Sequence, residues 1–212
     1  MAKLRKGILG PLTGKIGPVI ASTWKNTVYI RAMPQRKTWA ATPAQLANQQ
    51  KFKFIHGLLR PLRPYITVGF HHLATDVMEI NLAFSIAYRK AISGTYPDLV
   101  VDYSQLAVSA GRTLPLINPV MVLAAEQTLI LNWEVEWRAH SAFGDQVMLV
   151  VFCPELGIAN GFTAGVHRGD ERCTFDVPPR MVGHEIHVYA GVLAVNGKQA
   201  SNSQYLGKVI PV

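Results

Sequence analysis

From Val120 to Val212 the chain is a succession of short apolar runs cut by turn residues, at the intervals characteristic of a two-sheet β-structure. The runs are Val120 to Ala124, Leu129 to Trp137, Gln146 to Cys153, Gly161 to His167, Cys173 to Val177, His184 to Val195 and Gln204 to Val212. Side chains alternate between the two faces of a strand. Leu129, Leu131, Trp133 and Val135 therefore point inward, and Asn132 and Glu134 outward. Asn196-Gly197 supplies a hairpin turn. Leu99 to Tyr103 and Leu106 to Ser109 read as short strands leading in, and Pro115 to Pro119 as a linker.

The stretch before this, about Thr42 to Ile92, has helical spacing. Thr42-Pro43-Ala44-Gln45 offers an N-cap hydroxyl, a proline at the first helical position and a glutamine two further on, so a helix is predicted from Pro43 to Leu59. It must stop near Arg60-Pro61-Leu62-Arg63-Pro64, since each proline removes a donor and disfavours helix at the residue before it. A second helix is predicted from Thr75 to Ile92, with Asp76 and Glu79 at its start, Arg89 and Lys90 in its last turn and Gly94 beyond. Val77, Ile80, Phe84, Ala87, Tyr88 and Ala91 form a packing stripe on it.

The first 41 residues are rich in Gly, Pro and β-formers. Val19 to Trp24 and Thr27 to Arg31 are strand-like and separated by Lys25-Asn26, which predicts a β-hairpin arm. An isolated hairpin is marginal in water, so the arm must be covered by the rest of the chain or by a partner. Charge marks the same region. Up to Thr75 there are 12 Lys and Arg and no acidic residue, whereas the remainder holds 9 basic and all 13 acidic residues, a balance of −4 against the total of +8. Such an asymmetry points to a polyanion partner or to the acidic surface of a neighbouring copy.

No reaction signature is present. Gly10-Pro11-Leu12-Thr13-Gly14-Lys15-Ile16 has one residue too few between its glycines for a phosphate loop, and Ile16 stands where a hydroxyl must hold magnesium. His71, His72, Asp76 and Glu79 read as polar residues at a helix entry. His184 and His187 would face opposite sides of a strand. Cys153 and Cys173 fall in different strands as small core residues. Catalytic, metal and cofactor sites are accordingly expected to be none. Trp24, Tyr29, Trp39, Phe52 and Phe54 interleave with basic residues as in nucleic-acid binders, though Phe52 and Phe54 cannot share a helical face. No apolar span is long enough for a membrane helix and no secretory signal is recognised, which suits a cytoplasmic or virion location.

Leu129 to Val135 with Trp133 on the second strand, and Ile186-His187-Val188-Tyr189 leading through Asn196-Gly197-Lys198 to Ser201-Asn202-Ser203, resemble a fibronectin type III or immunoglobulin-like domain over about the last 95 residues. The whole chain resembles an uncharacterised family of Bacteroidota proteins through Gly14-Lys15-Ile16-Gly17, the hairpin from Trp24-Lys25-Asn26 to Arg31, and Thr42-Pro43-Ala44-Gln45 leading to Lys51-Phe52. Members usually carry Gly where Asn26 stands, and the resemblance implies a shared fold with no assigned activity. The expected fold is α+β: a basic β-hairpin arm and helical pair over 1–96, then an immunoglobulin-like β-sandwich over 97–212. The expected function is a non-enzymatic, self-assembling structural protein, a filament or virion-like shell subunit. In this reading the chain forms a homo-oligomer in which Trp24, Tyr29 and Arg31 make intersubunit contacts, and Lys15, Lys25, Arg36 and Lys37 face an acidic partner or polyanion. The alternative is a nucleic-acid-binding protein using the basic first third.

Overall fold

The computed structural model describes residues 2–4, 13–24, 27–35, 40–124, 127–136 and 141–211. The chain divides into two compact units, Met1–Thr42 and Pro43–Val212. The boundary expected at 96/97 thus falls inside the second unit, which contains the helices together with the large sheets.

The first unit is a four-stranded antiparallel sheet. Strands β1 (Ala2–Leu4), β2 (Gly14–Ile16), β3 (Val19–Trp24) and β4 (Thr27–Ala32) take the order β1-β4-β3-β2. The β3–β4 hairpin has the expected limits except that β4 runs one residue further, to Ala32; Trp24 is opposite Thr27, and the Lys25-Asn26 turn lies outside the described residues. Between β2 and β3 the chain reverses at Gly17, whose φ of 55° is easy only for glycine. Among the described residues of β2, β3 and β4 only Ala21 is buried.

The second unit opens with α1 (Pro43–Leu59), which has the predicted ends, and α2 (Arg63–Gly69). The Arg60 to Pro64 segment stops α1 as expected, but Pro64 then sits in the first turn of α2, where a missing N–H costs nothing. The second predicted helix is shorter than its capping signals suggest. A 3₁₀ turn (His71–Leu73) comes first, then α3 (Glu79–Ile86) and a π-helical turn (Ala87–Ala91). The residue capping α3 is Met78, in an extended conformation, rather than Thr75. Packing decides this start: Ala83, Ala87 and Ala91 are buried and Ile80 and Phe84 pack beside them, whereas Val77 is exposed.

Strands β5 (Ile92–Ser93) and β6 (Val100–Val101) form a small ladder, and a 3₁₀ turn (Tyr103–Gln105) follows. The strand expected at Leu106 to Ser109 does not form. Its backbone groups are bonded elsewhere: Val108 N–H donates to Ser203 Oγ (3.1 Å) and Ser109 C=O accepts from Ser203 N–H (3.0 Å). The expected Pro115 to Pro119 linker in turn becomes the start of β7 (Ile117–Leu123). Pro119 is tolerated there because β7 is an edge strand whose register shifts at this point, with Asn118 at φ 44°.

Six more strands follow: β8 (Thr128–Glu134), β9 (Gln146–Cys153), β10 (Ile158–Phe162), β11 (Arg172–Asp176), β12 (Ile186–Leu193) and β13 (Gln204–Val209). Strand β10 lies earlier than the expected Gly161 to His167, because the turn closed by Gly157 N–H to Pro154 C=O sets Ile158 opposite Cys153. Two antiparallel sheets result, β10-β9-β12-β13 and β11-β8-β7. Leu129, Leu131 and Trp133 of β8 meet Val147, Leu149 and Val151 of β9 and Ile186 and Val188 of β12 in one cluster between the sheets. Met148, Val150 and Phe152 on the other face of β9, with Tyr189, meet Ile55, Leu59, Leu62 and Ile66 of the helical region in a second cluster. Burial on both faces explains the unbroken apolar run of β9. The fold is α+β, and within the second unit the helices lie on one side of the β10-β9-β12-β13 sheet and the three-stranded sheet on the other.

Candidate functional site

Register puts four of the seven expected contact residues of the first unit on one face of its sheet. Directly opposed residues in an antiparallel sheet share a face, as do alternate residues along a strand. Lys15 opposes Ile20 and Ile20 opposes Arg31, Ser22 opposes Tyr29, and Trp24 opposes Thr27. Lys15, Trp24, Tyr29 and Arg31 therefore all lie on one face, and Ile16, Val19, Ala21, Val28 and Ile30 on the other. Lys15 and Arg31 are exposed, Trp24 is 44% exposed and Tyr29 is half-buried. Lys25, Arg36 and Lys37 lie outside the described residues. The electrostatics are one-sided. Met1–Thr42 carries eight Lys and Arg and no acid; 21 less eight leaves 13, equal to the 13 acidic residues of the second unit, so the whole formal charge of +8 belongs to the first.

The two aromatics of α1, Phe52 and Phe54, are 44% and 40% exposed. Phe52 stacks near Phe84 (4.6 Å between centroids) and Tyr88 (5.9 Å), with Lys51 Nζ 4.6 Å from the centre of the Tyr88 ring. Phe54, on another side of the helix, lines an open groove of 470 Å³ with Leu58, Pro61, Tyr96, Tyr103 and Phe152.

A tyrosine–histidine cluster adjoins that groove. The ring of Tyr103 stacks on His187 at 4.0 Å. His187, 3% exposed, has Nδ1 2.9 Å from the Tyr205 hydroxyl, and Nε2 3.5 Å from Glu185 Oε1 without a hydrogen-bond partner among the described residues. Glu185 in turn accepts from Lys208 Nζ at 2.7 Å, and this bond holds its carboxyl below the usual range. Tyr189, fully buried, donates to the Tyr103 carbonyl (2.8 Å). Burial lowers the His187 pKa, partly offset by Glu185, and raises those of Tyr103 and Tyr189. These directions favour neutral side chains and fit a packed polar cluster.

A second buried polar centre had no signal in the sequence. Arg168, 2% exposed, donates Nη1 to Pro115 C=O (3.1 Å) and Nη2 to Leu114 C=O, and its Nε lies 3.4 Å from Asp145 Oδ2. Asp145 accepts from Ala142 N–H (2.9 Å) and Val195 N–H (3.2 Å), while Trp133 Nε1 donates to Arg168 C=O (2.7 Å). These bonds thus tie together five separate segments of the chain. Burial lowers the Arg168 pKa and the Asp145 charge opposes that shift.

Cys153 and Cys173 are both buried with free thiols, and burial pushes the Cys173 pKa up to about 11. His71 Nδ1 lies 3.8 Å from Glu79, and among the described residues no group of three or more His, Cys, Asp or Glu converges. No described helix is long and apolar enough to cross a membrane.

Comparison with curated proteins gives no match. A family profile does match, over residues 11–207, which takes in β2, β3 and β4 of the basic sheet, the helices and all but the last two residues of the large sheets; the chain belongs to the family of unknown function DUF6266.

Proposed function

We propose that the chain is a non-enzymatic, self-assembling structural protein whose N-terminal sheet is covered by another copy. What supports this most directly is the open state of that sheet: β2, β3 and β4 bury only Ala21 among their described residues. A unit of this size gains little stability from its own core, and an open sheet with unpaired edges invites pairing. Its aliphatic face, with Ile16 49% exposed beside Val19, Val28 and Ile30, is the surface for a neighbour to cover. The sheet unit is +8 without an acid, whereas all 13 acidic residues lie in the net-neutral second unit, so a second copy offers carboxylates for the sheet unit to meet. Contact between two different patches is heterologous and propagates into a ring, shell or filament.

Residues 117–211 fit a fibronectin type III-like sandwich in this reading. The first, second and fifth strands form one sheet and the fourth, third, sixth and seventh the other, with Trp133 on the second strand. The fourth strand has changed sheets relative to a constant-type immunoglobulin domain.

Light scattering of the untagged protein tests assembly: a mass many times 23.3 kDa is expected, and a monomer at both low and high salt would overturn it. Ile30→Lys, on the aliphatic face, should reduce that mass while the second unit keeps its melting transition. A second reading, nucleic-acid binding by the basic first unit, is favoured by the register that gathers Lys15, Trp24, Tyr29 and Arg31 on one face. The ratio of absorbance at 260 and 280 nm on the same light-scattering peak tests it.

A further inference from the structure

We infer that the basic, aromatic face of the N-terminal sheet binds single-stranded polynucleotide, RNA or DNA, by stacking bases on Tyr29 and Trp24 and neutralising the backbone at Lys15 and Arg31. This rests on the second reading above and narrows it to one strand state and one mode of recognition.

The face is laid out in three rows. Lys15, Ile20 and Arg31 form the first, Ser22 and Tyr29 the second, Trp24 and Thr27 the third. Rows on one face of a strand are about 7 Å apart, so the charges and the two rings follow one another along the strand direction. Trp24 and Tyr29 are diagonal neighbours, about 7–8 Å apart at the backbone. On the β3–β4 ladder the residues opposite them, Thr27 and Ser22, are small, and on its other side Tyr29 is opposed by Lys3 of β1, a further cation in the row; Trp24 is 44% exposed and Tyr29 half-buried. Stacking requires a base whose face is free, and the bases of a duplex are already stacked on each other. A duplex could meet only the charges. The described side chains of the face offer Ser22 and Thr27 as small polar groups and no carboxylate or carboxamide, so sequence preference should be weak. The charge of the unit fits this ligand, with eight basic residues and no acid to repel phosphate.

The test is fluorescence anisotropy of the full-length protein with labelled oligothymidylate, oligouridylate and a duplex of the same length, at low and moderate salt. Both single strands should bind at least about tenfold more tightly than the duplex, and Trp24→Ala should weaken them about tenfold. Trp24→Phe should retain most of the affinity. Arg31→Gln should weaken binding and reduce the slope of log affinity against log salt by about one. Equal affinity for duplex and single strand would overturn the stacking proposal while leaving polyanion binding in place. Absence of binding to every probe at low salt would overturn both. The comparison of strand states uses the unaltered protein, so it decides the matter even if a Trp24 variant perturbs the sheet.

Discussion

Tyr189 and Arg168 bring polar groups into the core, and each is held by partners remote in sequence. Tyr189→Phe keeps the ring but leaves the Tyr103 carbonyl without its donor, so unfolding in urea should show a loss of about 1–2 kcal/mol. Arg168→Met removes the cation and leaves Asp145, 3% exposed, uncompensated; a loss of about 3–5 kcal/mol is expected. His187 makes a prediction about pH. Its folded pKa lies below its ordinary value because the ring is buried, so the unfolded chain takes up the proton first. Its contribution is complete above the ordinary histidine pKa and is lost as pH falls below it, toward the depressed folded value. His72 shifts in the same direction through burial and His71. Comparing urea midpoints from about pH 8 to about pH 5 in wild type and His187→Gln isolates the His187 part: the substitution should flatten the acid-side fall.

At the scale of elements, two glycines in neighbouring helices should respond in opposite ways to the same change. A Cβ on Gly69, at the end of α2, would lie 2.3 Å from Val108 C=O and 2.6 Å from Ser109 Cβ, so Gly69→Ala must push the helix off the 106–110 loop. A loss of about 3 kcal/mol is expected. Gly57, within α1, has nothing within 4 Å of an added Cβ, and Gly57→Ala should stabilise the protein by about 0.5–1 kcal/mol. Thermal melting of the two variants, read against wild type, should therefore show transitions moved to opposite sides. The limits of α1, β3 and β9 were legible because each has a local cause: Thr42-Pro43 at a helix start, two residues between hairpin strands, and an unbroken apolar run. The start of α3 and the register of β10 were not, because burial of Ala83 and the Pro154 to Gly157 turn outweighed the capping and composition signals.

For the molecule as a whole, the separation of charge sets how assembly should respond to ionic strength. Contacts between a +8 unit and acidic surfaces are screened over about 10 Å at 0.1 M salt, whereas burial of the aliphatic face is not screened. Particle mass measured by light scattering should consequently fall as salt is raised, without reaching the monomer. Ile30→Lys should lower it at every salt concentration, and Arg31→Gln chiefly at low salt.

The amino-acid sequence by itself determined the α+β class, the basic hairpin, the first helix and most of the strands, since periodicity, turn chemistry and charge act over a few residues. It also singled out Lys15, Trp24, Tyr29 and Arg31 one by one. That these four share a face follows only from the pairing of β2, β3 and β4, because a shift of one residue in register would send a strand's side chains to the opposite side. Tertiary structure alone joined Arg168 to Asp145 and His187 to Tyr103 and Tyr205. Such pairs are made by elements brought together from distant parts of the chain, and their stability comes from desolvation and partner geometry that no local pattern encodes.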